Sequence, residues 1–116
     1  MSDGTIFVFG SFRLDVGNVS LRKGKRIVRL TPKAFRVLRY LVERAGHLVT
    51  KDELWRAVWT NVNVTDGALN VCVSEIRKAL GDEAQTPRYI ETVHRLGYRF
   101  TAPISVRPPA LKVSVC

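Results

Sequence analysis

The chain has 116 residues, enough for one domain with a hydrophobic core and too few for two. Hydrophobic residues make up 46% of it and charged residues 25%, a globular composition that argues against wholesale disorder. The charge balance is unusual, because 19 Lys and Arg against 10 Asp and Glu give a formal net charge of +9 at pH 7. Such a field attracts polyanions, nucleic acid first and anionic membrane second, although an ordinary basic protein would have the same composition.

Several classes of protein lack support in the sequence. No apolar run approaches the roughly 20 residues of a membrane-spanning helix, and the N-terminus has no signal-peptide pattern. Two cysteines, Cys72 and Cys116, do not make a disulfide framework, so a reducing cytoplasm fits best. A Gly-rich phosphate loop, a paired carboxylate cluster and a nucleophile–base pair are all missing. We therefore expect no enzyme activity, cofactor, metal, small-molecule substrate or membrane contact for this segment.

The first 30 residues carry β-strand signals. The short runs IFVFG, SFRLDV, VSLRKG and KRIVRL are separated by glycine-containing turns. They predict four antiparallel strands joined by tight turns. Cations accumulate here without any acidic residue from Val16 to Val42, most densely at residues 22–29.

Two helices are predicted next, with a short strand between them. Thr31 can cap the first helix, Pro32 suits its first position, and Gly46 suits the C′ position just after its end. The residues HLVT then fit a short strand. Thr50 and Glu53 form a capping-box pattern that opens the second helix.

A third helix is predicted over residues 66–80, with Thr65 or Asp66 as its N-cap. At about 100° per residue, its apolar residues form one stripe, and Cys72 at the margin is expected to be a small buried side chain. Opposite this stripe lie Gly67, Asn70, Val71, Ser74, Arg77 and Lys78. A face that is small and polar early and basic late suits entry into a groove of duplex DNA.

The run YIETVHRLGYRF predicts a β-hairpin after the third helix. Gly97 is expected to take a positive φ at the turn, so that His94 and Arg95 project from the tip. Alternatively, the hairpin only covers the core through Ile90, Val93, Tyr98 and Phe100. Regular structure is expected to end at residues 102–103.

This order of elements describes an α+β fold, a winged helix-turn-helix. It has an N-terminal four-stranded antiparallel sheet, three helices and a C-terminal hairpin that carries the wing, residues 93–99. The predicted domain covers residues 4–102, and residues 103–116 are predicted to be a linker or disordered tail.

These residues resemble the OmpR/PhoB-type winged-helix effector domains of bacterial transcription regulators. The resemblance covers about Phe7–Ala102 and rests on LTPKAFRVLRYLVERAGHLVTKDELWRAVW, VTDGALNVCVSEIRKALGD and PRYIETVHRLGYRF. It implies that the third helix reads the major groove, that the wing reaches the adjacent minor groove, and that the loop 60–64 can contact RNA polymerase. The pattern is nearer to the ToxR-like branch, whose effector domain is also N-terminal. We therefore expect the signal-sensing part beyond Cys116 or on another chain.

The resemblance and the exposed helix face together give the candidate DNA-binding residues: Gly67, Asn70, Val71, Ser74, Arg77, Lys78, His94, Arg95 and Tyr98. Asn70 can bond adenine bidentately, and Val71 can meet a thymine methyl group. Arg77 is expected to take a phosphate. Glu75 has no assigned role, and the indole N–H of Trp59 is as well suited to a phosphate as to the core.

We therefore predict sequence-specific binding of double-stranded DNA in bacterial transcription regulation, by a cytoplasmic domain that can act as a homodimer on DNA. A protein–protein interaction module and a non-specific architectural DNA binder remain as alternatives. For the basic cluster at residues 22–29, contact with a partner or a neighbouring subunit competes with long-range steering of DNA.

Overall fold

The structure is a computed structural model that describes residues 5–59, 66–83, 85 and 87–107. The elements of this part are β1 (Ile6–Phe9), β2 (Phe12–Asp15), β3 (Ser20–Lys23), β4 (Arg26–Val28), α1 (Pro32–Glu43), β5 (Leu48–Thr50), α2 (Lys51–Val58), α3 (Asp66–Leu80), β6 (Ile90–Val93), β7 (Gly97–Phe100) and β8 (Ser105–Arg107). The predicted α+β class is confirmed, with its N-terminal antiparallel strands, its helices and its C-terminal hairpin. In the described part, no helix is long and apolar enough to cross a membrane.

The N-terminal sheet has one strand more than the sequence predicted. Its order is β4-β3-β2-β1-β8, and β8 pairs antiparallel with β1, with Phe7 opposite Val106. The expectation that regular structure ends at residues 102–103 is therefore wrong for Ser105–Arg107. β1 would otherwise present an edge of unpaired backbone groups, which this short segment satisfies. The rest of the predicted tail, from residue 108, lies outside the described residues.

One hydrophobic core joins the N-terminal sheet to the hairpin. Alternate residues of β1 and β2 point inward, as their buried side chains show, and they belong to the same core cluster as the buried residues of α1. The rings of Phe9 and Phe100 meet edge to face, with centroids 5.0 Å apart, and Phe9 also stacks on Phe12 at 5.8 Å. Phe100 belongs to β7, so this aromatic contact fixes the base of the hairpin to the scaffold.

The predicted helix caps are largely confirmed. Thr31 caps α1 by accepting from a backbone N–H of its first turn, and Pro32 takes the first helical position. Thr50 and Glu53 form the expected capping box on α2. α1 ends slightly earlier than predicted, because Arg44 is the C-cap and Gly46, at φ +86°, lies two residues further on.

The prediction that Gly97 takes a positive φ at the hairpin turn is wrong. The residue with positive φ in the hairpin turn is Arg95, at 66°, whereas Gly97 lies within β7. A Cβ atom at position 97 would overlap the carbonyl group of Val49 and lie 2.8 Å from Cα of Thr50. Glycine is therefore required here because β5 approaches the backbone closely.

We expect Gly97→Ala to lower the free energy of unfolding by about 1–3 kcal/mol, because β5 must move away from β7. Urea denaturation measures this loss. Gly24→Ala is the control, since Gly24 has the restrictive backbone that Gly97 lacks (φ +61°), while a Cβ there meets nothing within 4 Å. A loss at position 97 no larger than that at position 24 would contradict the close-approach explanation.

Candidate nucleic-acid interface

The apolar stripe of α3 packs against the core as predicted. Leu69, Val73 and Ile76 are all buried. Cys72 is also buried, and this burial raises the pKa of its thiol, which disfavours the reactive thiolate. The structure thus supports the packing interpretation of Cys72 and leaves the opposite side of α3 to solvent.

The exposed face of α3 consists of the predicted residues that lie on the side away from the core: Gly67, Asn70, Val71, Ser74 and Lys78. Val71 is 66% exposed, which is unusual for a β-branched apolar residue on a helix. One shallow concavity on this face is lined by Asn70, Val71, Ser74, Glu75 and Lys78. The structure therefore brings five of the predicted residues onto one surface.

Glu75 has a structural role that its local sequence did not indicate. Its carboxylate accepts hydrogen bonds from the backbone N–H of Thr31, at 2.6 Å, and from the hydroxyl of Thr31, at 2.9 Å. A carboxylate beside the N-terminus of α1 also complements the helix dipole. Glu75 therefore links α3 to the start of α1.

Arg77 turns toward the hairpin rather than extending from the exposed face. Its Nη2 donates to the carbonyl oxygen of Ile90, at 3.0 Å, and to Oγ1 of Thr92, at 2.7 Å. The Nε group is buried without an acceptor among the described residues. This geometry gives Arg77 the role of a brace between α3 and β6, which the helical spacing alone did not predict.

A second contact joins α3 to the other strand of the hairpin. The hydroxyl of Tyr98, in β7, donates to Oδ1 of Asn70 at 2.9 Å. Tyr98 is only 3% exposed, so it reaches Asn70 from the core side and does not face solvent. Asn70 itself remains exposed.

The turn of the hairpin presents a cationic tip next to α2. His94 and Arg95 are exposed, as predicted, and Leu96 beside them is 53% exposed. The backbone N–H of Lys51 donates to the carbonyl of Leu96 at 3.1 Å, which ties the tip to the first turn of α2. Lys51, Arg56 and Arg95 line one groove at this junction.

The tryptophans and the basic cluster are the remaining candidates from the sequence. Trp55 and Trp59 are partly buried against the core, and the ammonium of Lys33 lies 5.6 Å from the ring centroid of Trp59. The exposed cations of residues 22–29 lie on and around β3 and β4, where β4 is an edge of the five-stranded sheet. The loop 60–64 and the proposed cap Thr65 lie outside the described residues. In the described part, no group of three His, Cys, Asp or Glu residues could hold a metal ion.

Comparisons with known proteins identify the family. Residues 24–100 match the family model described as "Transcriptional regulatory protein, C terminal". The chain belongs to this family of OmpR/PhoB-type domains. The transcriptional regulator HilA of Salmonella typhimurium is 39% identical over 105 residues, which cover 90% of this chain and 19% of HilA. The chain therefore spans only a small part of this relative's length.

Solved structures agree with the family. The Klebsiella pneumoniae RstA DNA-binding domain in complex with the RstA box has a TM-score of 0.74 at 31% identity, covering 83% of this chain and 96% of that one. The DNA-binding domain of Escherichia coli CadC has a TM-score of 0.75 at 25% identity, covering 90% and 98%. The resemblance inferred from the sequence motifs and the winged helix-turn-helix fold are both confirmed.

We expect Arg77→Ala to lower the free energy of unfolding by about 1–2 kcal/mol, because it removes a charged donor from two acceptors on β6. Chemical denaturation measures the loss, and hydrogen exchange of the β6 amides should accelerate. Lys78→Ala is the matched control, since Lys78 is the next residue on α3 and is exposed. If the two variants proved equally stable, Arg77 would not be a brace.

Proposed function

We propose that this chain binds double-stranded DNA sequence-specifically in transcription regulation, with α3 in the major groove and the wing in the adjacent minor groove. The observation that carries the proposal is the exposed face of α3, joined by direct hydrogen bonds to a hairpin whose tip is cationic. The family supports it, as does the likeness to the RstA domain in complex with its DNA box.

The exposed face supplies groups suited to base edges. Gly67 allows close approach of the helix backbone, and Ser74 can donate to or accept from bases and phosphates. The exposed methyl groups of Val71 are suited to contact with a thymine methyl group. The side-chain amide of Asn70 forms hydrogen bonds with a base edge, and the ammonium group of Lys78 neutralises a phosphate.

The hairpin has a second set of contacts in this proposal. His94 and Arg95 enter the minor groove, whose narrow A·T-rich stretches have an enhanced negative potential that attracts cations. Arg77 and Tyr98 lie on the protein side of the interface, where their hydrogen bonds hold α3 and the hairpin in a fixed relative position. This replaces the direct DNA contacts that the sequence suggested for them.

Further partners are proposed on the family resemblance. They are RNA polymerase, through the loop 60–64, and a second copy of the chain on the same DNA. A bacterial cytoplasmic setting belongs to the same proposal, for the domain alone or as part of a larger or membrane-anchored regulator.

Non-specific architectural binding is the competing function, and the net charge of +9 favours it. Base-specific reading and phosphate contact respond differently to substitution. Asn70→Ala should cost about 1–3 kcal/mol on the preferred duplex, found by selection from random oligonucleotides, and much less on random DNA. Fluorescence anisotropy on both duplexes measures the difference.

Lys78→Ala is the control for this comparison. It should weaken binding to both duplexes alike and flatten the slope of log K against log salt by about one unit. If Asn70→Ala weakened both duplexes equally, or if selection yielded no consensus, the architectural function would be favoured.

The role of the wing has its own test. Replacing both His94 and Arg95 with Ala should weaken DNA binding by at least about tenfold and remove the preference for A·T-rich flanks, because each of the two contacts removed contributes roughly 1–3 kcal/mol. The melting temperature should not change, since both side chains are exposed. Lys25→Ala, on the distant turn between β3 and β4, is the control for lost charge. Unchanged affinity with unchanged flank preference would leave the hairpin a purely structural role.

A further inference from the structure

The side-chain amide of asparagine has two chemically opposite ends. Its Oδ1 accepts hydrogen bonds, and its Nδ2 carries two donors. Half a rotation of the amide exchanges the two ends, so a freely rotating asparagine can present either end to a base. What Asn70 reads in DNA therefore depends on what holds its amide in place.

In this protein the oxygen end of Asn70 is already held. The hydroxyl of Tyr98 donates to Oδ1 of Asn70 at 2.9 Å, between residues 28 apart in the chain. Tyr98 is 3% exposed and lies in β7, the middle strand of a three-stranded sheet of order β5-β7-β6, opposite Val49 of β5 and Thr92 of β6. The hydroxyl is thus presented by a rigid element, whereas the Asn70 side chain faces solvent.

We propose that Tyr98 is a specificity-determining positioning residue, which fixes the amide of Asn70 so that Nδ2 faces the major groove as a donor. This proposal rests on the proposed function. Guanine offers the acceptors N7 and O6 there, thymine offers O4 and adenine offers N7, whereas cytosine offers only the N4 donor. Asn70 then favours guanine, which has two acceptors, and rejects cytosine at one position of the site. The bidentate adenine contact suggested by the residue type is disfavoured, because it needs the oxygen end to face the base.

The first test is Tyr98→Phe in the 116-residue chain, with base preferences measured by selection from random duplexes. The wild-type chain should reject cytosine about tenfold at the position read by Asn70. In the variant this rejection should fall to within about twofold, with the other positions unchanged, since the amide can then rotate. Tyr40→Phe is the matched control, because that hydroxyl donates to Glu53, away from Asn70. It should leave every base preference as in the wild type.

A second variant reverses the donor pattern without removing the tyrosine. Asn70→Asp keeps an oxygen that accepts from Tyr98 and replaces the two N–H donors with a second acceptor. Preference at the same position should move toward cytosine. The new negative charge also repels the phosphates and lowers the overall affinity, but this loss does not depend on the base at that position.

A third measurement needs no DNA. The NMR order parameter of the Asn70 side-chain amide in the free protein should be clearly higher in the wild type than in Tyr98→Phe, where it should fall below about 0.6. A role of Tyr98 in packing alone would leave this amide unchanged.

The outcomes separate this inference from the proposed function. If the wild type selects a consensus but Tyr98→Phe keeps both the cytosine rejection and the rigid amide, only the inference is overturned. An unchanged preference in Asn70→Asp overturns it as well. If the wild type selects no consensus at all, the proposed function fails and the inference fails with it.

Discussion

The attachment of α3 to the hairpin is the constraint on which the rest of the structure depends. Two elements that are to enter neighbouring grooves of one duplex must keep a fixed separation and angle. Here the side chains of Arg77 and Asn70 on α3 meet the hairpin through Ile90, Thr92 and Tyr98. Because these contacts exist before any DNA is bound, little ordering is required at the moment of binding.

The scaffold supports this attachment from both sides. Glu75 holds α3 to the N-terminus of α1, and the aromatic contact of Phe9 with Phe100 holds the hairpin to the five-stranded sheet. Gly97 lets β5 approach the hairpin, and Lys51 anchors its tip to α2. The elements that carry the exposed side chains of the interface are therefore held in place by the rest of the fold.

How well the sequence predicts a contact depends on how far apart the two residues are in the chain. The caps at Thr31 and Thr50 and the stripe of α3 depend on residues a few positions apart, and the structure agrees with them. Glu75 meets a partner 44 positions away, and a helical wheel shows the direction of Arg77 but not that the hairpin lies within its reach. The prolines near β8 indicate a linker, whereas the open edge of β1, which is distant in sequence, decides that this segment pairs as a strand. The sequence predicts that Gly97 belongs to the hairpin, but the reason for a glycine there is the close approach of β5, which is also distant in sequence.

Methylation protection of the selected duplex tests most directly whether α3 and the hairpin read DNA as one unit. Dimethyl sulfate modifies guanine N7 in the major groove and adenine N3 in the minor groove. If α3 and the hairpin bind together, guanine N7 is protected where α3 lies in the major groove. Adenine N3 is then protected about five base pairs away, because the minor groove faces the same side of the duplex half a turn, of roughly 10 base pairs, further along. Both protections should appear together as protein is added. Uniform protection along the duplex, or protection in neither groove, would contradict the account.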